Sequence, residues 1–334
     1  MTELLTIEEL SIAFDSERGR QHAVRRASLA IGRGEFVGLV GESGSGKSLT
    51  ALASMRLLPP AARMVGGRIR LEETEVTALS EAELQAIRGA RIGLVFQEPM
   101  SALNPVLSIG TQVVEALRVH RPLDRQRARK EAARLLERVA LSGVDRLLKR
   151  YPHQLSGGQR QRVVIALALA GEPDLLIADE PTTALDVTVQ AQILDLLSEL
   201  RRDLGLAVLL ITHDLAVIAE TCDRVYVMYA GEIVEQAPTV ELFAGPLHPY
   251  SRALLAALPR IDVEATVDGR LPTIPGQIPE AGALPGGCAF HPRCDAVMER
   301  CRLEEPPLYA VDKRHSRCFL SEQAETVVAA NGEG

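Results

Sequence analysis

Aromatic residues and long apolar runs are scarce in this sequence. It contains no tryptophan, only five tyrosines and only six phenylalanines, so its core must be packed mainly from alanine, leucine, valine and isoleucine. No apolar stretch approaches the ~20 residues that a membrane-spanning helix needs. The start of the chain contains neither the basic nor the apolar segment of a secretory signal, which predicts an intracellular location.

An excess of basic residues is also missing. The 37 lysines and arginines are outnumbered by 44 aspartates and glutamates, which gives a net charge of −7. Binding to nucleic acid without regard to its sequence needs a strong basic field, so this balance argues against it. The length of 334 residues is enough for about two domains, and the composition is that of an ordinary folded protein.

Apolar residues are spaced as in alternating strands and helices. Residues 4–40 show strand patterns, and residues 107–150 show helical spacing throughout. Short buried strands are predicted at residues 175–178 and 207–212, with a helix at about 157–170 before the first and a helix near 188–203 between the two. Strands that alternate with helices indicate a parallel sheet covered by helices, so we predict an α/β fold.

A glycine-rich loop at residues 41–48 follows a short apolar strand and precedes a helix predicted at residues 50–58. Its sequence GESGSGKS matches the phosphate-binding pattern G-x-x-x-x-G-K-[ST]. The glycines let backbone N–H groups face a phosphate, and the helix N-terminus adds partial positive charge. Lys47 is expected to reach the β- and γ-phosphates, and the Ser48 hydroxyl is expected to hold Mg²⁺. The loop predicts nucleotide binding, which several classes of protein share.

Two carboxylates end the apolar strand predicted at residues 175–178. Asp179 is expected to support the Mg²⁺ shell, and Glu180 is expected to polarise a water in line with the γ-phosphate. The alternative is an acidic turn at the end of a strand. These two residues raise the hypothesis that the nucleotide is hydrolysed.

A second helix N-terminus is predicted at LSGGQ, residues 155–159, where Ser156 occupies the N-cap position. An ordinary capped helix is the alternative. Gln97 and His213 each follow a predicted strand, and Asp186 follows a short turn. Any one of these three residues, taken alone, is more often structural than functional.

Together, in this order and at these spacings, the motifs resemble the ABC ATPase family over roughly residues 4–250. The resemblance implies a P-loop ATPase with a RecA-like parallel sheet core, an N-terminal antiparallel β subdomain and an inserted helical subdomain at about residues 98–170. The ATPase domain is then expected at residues 4–258. LSGGQ is the most discriminating motif, because other P-loop classes lack it.

The family resemblance also implies a composite active site, in which two ATPase domains meet head to tail around two ATP molecules. Glu180, His213 and Gln97 would be catalytic, and Ser48, Gln97 and Asp179 would hold Mg²⁺. Asp186 would form the D-loop. The residues implied to bind ATP are Phe14 (against adenine, with a simple core role as the alternative), Gly41, Glu42, Ser43, Gly44, Ser45, Gly46, Lys47 and Ser48. Those implied to contact the ATP of the partner subunit are Ser156, Gly157, Gly158 and Gln159.

Segments around these motifs are similar to the ATPases of dipeptide and oligopeptide importers, notably FQEPMSALNP at residues 96–105 and HPYSRALLAA at residues 248–257. That resemblance implies an energy-coupling subunit peripheral to the cytoplasmic face of the inner membrane. Its partners would be two permeases, a second ATPase that is a paralogue and, indirectly, an extracytoplasmic substrate-binding protein, with no nucleic acid. Import of nickel, glutathione or another small solute stays open. So do a soluble ABC ATPase acting on nucleic acid or the ribosome, and a regulatory protein that holds ATP without turnover.

Four of the five cysteines crowd into the end of the chain. Sets of four cysteines hold Zn²⁺ or an iron–sulfur cluster, and the spacings here are wider than in C-x₂-C zinc ribbons. Resemblance to peptide-importer ATPases implies a [4Fe–4S] cluster, with zinc and unliganded packing as alternatives. We predict a proline-rich linker at 259–287, a cysteine-rich module at 288–320 and a flexible tail at 321–334. The four cysteines are Cys288, Cys294, Cys301 and Cys318.

Overall fold

The computed structural model describes residues 3–16, 19–97, 102–183, 185–258 and 273–322. Half of the predicted linker, at 259–272, and the end of the predicted tail, at 323–334, lie outside the described residues. The first four residues of the predicted helical subdomain lie outside them as well.

A four-stranded antiparallel sheet is formed by the N-terminal part of the chain, in the order β2-β1-β4-β5. Its inner face packs on the larger sheet through a core of isoleucine, leucine and valine side chains. The antiparallel N-terminal sheet that the family resemblance implied is therefore confirmed. The strands are β1 (Glu3–Ser16), β2 (Gly19–Gly32), β4 (Ala62–Leu71) and β5 (Thr74–Glu75).

An eight-stranded mixed sheet forms the centre of the molecule, in the order β11-β12-β10-β9-β3-β8-β7-β6. Strands β9, β3, β8, β7 and β6 are parallel, as the alternating strand and helix patterns predicted. Three antiparallel strands then extend the sheet on the β9 side, which the sequence patterns did not predict. The strands are β3 (Phe36–Val40), β6 (Ile92–Val95), β7 (Leu175–Asp179), β8 (Ala207–Thr212), β9 (Arg224–Tyr229), β10 (Glu232–Pro238), β11 (Tyr309–Val311) and β12 (Arg314–Ser316).

Helices flank this central sheet, and α3, α4 and α6 pack against one another as a helical layer between β6 and β7 in sequence. The structure divides the predicted helical stretch at 107–150 into α3, α4 and α5, and it confirms the helices predicted near 157–170 and 188–203 as α6 and α7. The first helix of the chain, α1, runs over residues 47–53 instead of 50–58. It ends early because Arg56 turns into the left-handed region, with φ of 50°. The helices are α1 (Lys47–Ala53), α2 (Glu81–Ile87), α3 (Ile109–His120), α4 (Arg125–Arg138), α5 (Val144–Leu147), α6 (Gly157–Ala168), α7 (Val187–Leu204), α8 (Leu215–Thr221), α9 (Thr239–Ala244), α10 (Pro249–Ala256) and α11 (Glu299–Leu303).

The cysteine-rich end of the chain is attached to the central sheet by strand pairing. Glu235 of β10 pairs with Ser316 of β12, and the backbone N–H of Arg317 donates to the carbonyl of Val234 at 2.8 Å. This end of the chain therefore shares a sheet with β3 and β7, which precede the glycine-rich loop and end in Asp179. No described helix has the length and apolar character needed to span a membrane.

Candidate functional site

The glycine-rich loop connects the end of β3 to the start of α1, in the middle of the central sheet. Gly41, Gly44 and Gly46 all have positive φ, of 154°, 82° and 106°, which other residues rarely adopt. A Cβ atom on Gly41 would lie 2.1 Å from the backbone oxygen of Met228. The loop conformation therefore requires glycine at these positions, as the phosphate-binding pattern predicts.

Lys47 lies within this loop and is buried. Its Nζ atom donates to the carbonyl oxygens of Gly41 and Glu42, at 2.8 and 2.9 Å. Burial lowers the pKa of the Lys47 ammonium, and the nearby carboxylates of Glu180, Asp179 and Glu42 oppose that effect. The carbonyls hold the ammonium group inside the loop.

Asp179 ends β7 beside this loop. Burial raises the pKa of its carboxyl, while a hydrogen bond with Ser48 lowers it. Its Oδ1 atom is buried and has no hydrogen-bond partner within the described residues. A buried carboxylate oxygen without a partner, next to a hydroxyl group, is a donor set that suits Mg²⁺.

Glu180 follows Asp179, and three side chains meet at its carboxylate. Gln97 Nε2 and Thr183 Oγ1 donate to Glu180 Oε2 at 3.0 and 2.9 Å. His213 Nδ1 lies 3.2 Å from Glu180 Oε1. Burial alone would raise the pKa of Glu180, but the contacts with Thr183 and His213 and the charge of Lys47 hold it below its ordinary value.

A cleft of about 210 Å³ opens beside this carboxylate and is also lined by Thr212 and His213. The structure thus brings together Gln97, Glu180 and His213, which the sequence analysis singled out separately. Thr183 was missed, and the only signal for it is its place in the turn that follows Glu180.

The LSGGQ segment forms the start of α6, as predicted. Ser156 Oγ accepts from the backbone N–H of Gln159, and Gln159 Oε1 accepts from the N–H of Ser156, at 3.3 and 3.2 Å. This reciprocal pair is a capping box. A Cβ atom on Gly158 would lie 2.6 Å from Val189 of α7, so α6 and α7 pack closely there.

Asp186 and Phe14 occupy positions near these segments. Asp186 caps α7, and its Oδ1 accepts from the N–H of Val189 at 2.9 Å.

Phe14 is half-buried on β1 and pairs with Gln21 of β2. Ala23 lies two residues after Gln21 on β2, and its carbonyl oxygen is next to Gly46 of the loop. Phe14 therefore lies at the end of the N-terminal sheet that meets the phosphate loop.

The four clustered cysteines line one small, mostly apolar cavity, together with His248 and Phe290. All are free thiols, and burial raises the pKa of Cys288 and of Cys318 to about 11. Among the described residues, however, no group of three or more His, Cys, Asp or Glu side chains forms a site that could hold a metal ion. The structure brings the predicted cysteines together without forming a coordination site for a single ion.

Comparisons with known proteins identify the family. The sequence pattern of the ABC transporter family matches residues 24–183, and that of the oligopeptide/dipeptide transporter C-terminal region matches residues 234–301. A Brucella melitensis relative, named as a peptide import ATP-binding protein, is 49% identical over 94% of this chain and 94% of its own length. The Bacillus subtilis oligopeptide transport ATP-binding protein AppD is 46% identical over 97% of this chain and 98% of its own length.

Solved structures agree with the sequence relatives. The ATP-binding cassette MJ0796, in a dimeric post-hydrolysis state bound to ADP and phosphate, superposes with a TM-score of 0.64 and 31% identity, over 70% of this chain and 98% of the cassette. The chain therefore belongs to the ABC transporter family, as an ATP-hydrolysing subunit of its oligopeptide and dipeptide importer branch.

Proposed function

We propose that this protein hydrolyses ATP to drive alternating access in a membrane importer of dipeptides or oligopeptides. The observation that carries this proposal is the convergence of Gln97, Thr183 and His213 on the Glu180 carboxylate. Such a group of polar side chains around an acidic residue suits activation of a water. The names of the relatives and the match to the transporter C-terminal region support peptides as the solute.

In the proposed mechanism the N–H groups of the 41–48 loop and the ammonium of Lys47 bind the phosphates. Ser48, Gln97 and Asp179 would hold Mg²⁺, which, when bound, neutralises charge on the phosphate oxygens. Glu180 accepts a proton from the attacking water, and His213 orients that water against the γ-phosphate. Phe14 stacks on the adenine ring.

The signature residues complete the site of a second subunit. Ser156, Gly157, Gly158 and Gln159 form the N-terminus of α6, a 12-residue helix, and a helix N-terminus suits a γ-phosphate. Asp186, at the start of α7, would belong to the same contact surface. In this scheme ATP holds two subunits together and hydrolysis releases them. A paralogous second ATPase is the proposed partner.

Two membrane-spanning permeases and, indirectly, an extracytoplasmic substrate-binding protein complete the proposed assembly. The protein would be peripheral on the cytoplasmic face of the inner membrane. We also propose the boundaries expected from the sequence, with an ATPase domain at 4–258 and a cysteine-rich module at 288–320. The match to a transporter region favours this assembly over an ATPase that acts on nucleic acid or the ribosome.

A [4Fe–4S] cluster bound by Cys288, Cys294, Cys301 and Cys318 remains part of the proposal. Four free thiols that line one cavity support it. Each thiolate of such a cluster binds a different iron atom, so the cysteines need not converge as closely as they do around one ion. Iron and acid-labile sulfide in equal, stoichiometric amounts after anaerobic purification would support the cluster. Stoichiometric zinc without sulfide would contradict it.

Reconstitution tests the transport function. The protein is assembled with its two permeases and second ATPase in liposomes, and the substrate-binding protein is added on the opposite side of the membrane. Uptake of a labelled dipeptide is measured with and without ATP on the ATPase side. We expect ATP-dependent uptake that Glu180→Gln abolishes. ATP-dependent uptake of nickel or glutathione without dipeptide uptake would support the alternative solutes. Co-purification with ribosomes in place of permeases would refute the importer.

A further inference from the structure

One arginine in the cysteine-rich end of the chain, Arg293, contacts the phosphate loop. Arg293 Nη1 donates to Glu42 Oε2 at 2.7 Å, and Nη2 donates to Glu42 Oε1 at 2.9 Å. Glu42 is the second residue of the glycine-rich loop. Two parallel N–H···O contacts of this kind combine charge with fixed geometry.

The guanidinium group is held in place from several directions. Its Nε atom donates to the carbonyl of Pro275 at 2.8 Å. It lies over the ring of Tyr229 at 5.7 Å and over the ring of Phe290 at 6.0 Å. Only 5% of the Arg293 side chain is exposed, so solvent screens the pair weakly. Arg293 therefore presents a preorganised fork to Glu42.

The backbone of Glu42 also contacts Lys47, which is expected to bind the phosphates. Its backbone N–H donates to the hydroxyl of Tyr250 at 2.9 Å, and its carbonyl accepts from Lys47 Nζ at 2.9 Å. The side chain, N–H and carbonyl of Glu42 are thus fixed by three residues from different parts of the chain. These contacts fix the loop backbone next to Gly41, where the loop begins.

We propose that Arg293 is a positioning residue for ATP binding, through which the cysteine-rich segment sets the conformation of the phosphate loop. Arg293 acts on the nucleotide only through Glu42, which places the backbone that holds Lys47. The inference rests on the proposed ATP site. It assigns to the C-terminal segment a direct part in nucleotide affinity.

The test compares Arg293→Met with Arg300→Met in the assembled transporter. Arg300 is a matched control, because it also lies over an aromatic ring, that of Phe319 at 3.9 Å, and pairs with Glu304 and Glu322. We expect Arg293→Met to raise the KM and the Kd for ATP by about tenfold or more while kcat at saturating ATP changes less than about twofold. Arg300→Met leaves both constants unchanged.

Two further variants keep the test decisive if Arg293→Met folds poorly. Arg293→Lys retains the charge but not the fork, and we expect an intermediate Kd for ATP. Glu42→Gln combined with Arg293→Met should weaken ATP binding no more than the worse single variant, because both break one contact.

An unchanged Kd for ATP in Arg293→Lys and Arg293→Met, or equal effects of the Arg293 and Arg300 variants, would overturn the inference. Binding of a fluorescent ATP analogue gives the Kd even if the wild-type assembly imports no peptide, so failure of the proposed transport function is separately visible.

Discussion

Glu180 has a strained backbone conformation, and several contacts hold its side chain. Its φ of 46° lies in the left-handed region, which costs a residue with a Cβ atom roughly 1–2 kcal/mol. The N–H of Glu180 donates to the carbonyl of Ile211 at 2.9 Å, and its carboxylate has the three contacts described above. Strain that several contacts maintain is typical of functional positions.

Replacement of this carboxylate by an amide tests its role as the base. Glu180→Gln keeps the size and one acceptor oxygen for Gln97 and Thr183, but it cannot accept the proton of a water. We expect ATP binding to persist and turnover to fall by at least about a hundredfold, as measured by phosphate release and by retention of labelled ATP. The matched control is Glu172→Gln, because Glu172 also has positive φ, of 55°, and precedes the same strand β7. Hydrolysis within threefold of wild type in Glu180→Gln would remove Glu180 from this role.

Cys222, the fifth cysteine, is buried. It caps the end of α8, and burial raises the pKa of its thiol to about 12. Since the thiolate is the reactive form, its population at pH 8 is about a thousandfold below that of an ordinary thiol. We expect iodoacetamide to leave Cys222 unmodified in the folded protein at pH 8 and to modify it in guanidinium, by peptide mass spectrometry. Rapid modification of the folded protein would contradict the burial.

At the scale of elements, the sequence patterns predicted individual strands and helices, which depend on neighbouring residues, but not the pairing of distant segments. The strands β7 and β8 follow from their continuous apolar runs. The pairing of β10 with β12 joins segments far apart in the sequence, and the three residues of β12 carry no period of their own. The same limit applies to the site. Gln97, Glu180 and His213 stood out because each follows a strand, whereas Arg293 meets Glu42 only through the folded chain.

The attachment of the cysteine-rich segment to the sheet yields a prediction for Arg317. Its N–H donates to the carbonyl of Val234 at 2.8 Å, and proline at this position removes the donor. We expect Arg317→Pro to weaken docking by about 1–3 kcal/mol, seen as faster hydrogen exchange and proteolysis within residues 288–322. Arg317→Ala is the control, because it shortens the side chain and keeps the N–H. Equal protection in the two variants would show that this backbone contact does not hold the segment.

At the scale of the whole molecule, the proposed ATP site has two halves that belong to different elements of the fold. The 41–48 loop follows β3 and Asp179 ends β7 of the mixed sheet, while Ser156 caps the start of α6 and is exposed. Among the described residues, no hydrogen bond joins Ser156 to the phosphate loop or to Glu180. In the proposed composite site, a second subunit supplies the half that each subunit lacks.

Mixing two inactive variants tests whether the halves come from separate chains, with pairs of identical chains standing in for the proposed pair of paralogues. Ser156→Arg blocks the signature surface, and Glu180→Gln disables the base, so each variant alone should be inactive as a pair of identical chains. In a mixed pair one site combines both defects, whereas the other combines an intact Glu180 with an intact Ser156. Random pairing of equal amounts makes about half of the dimers mixed, so about a quarter of wild-type ATPase activity should return. ATP-dependent dimerisation of Glu180→Gln, measured by size-exclusion chromatography, verifies that like chains pair. If they do pair and the mixture stays inactive, the two halves do not act across the interface.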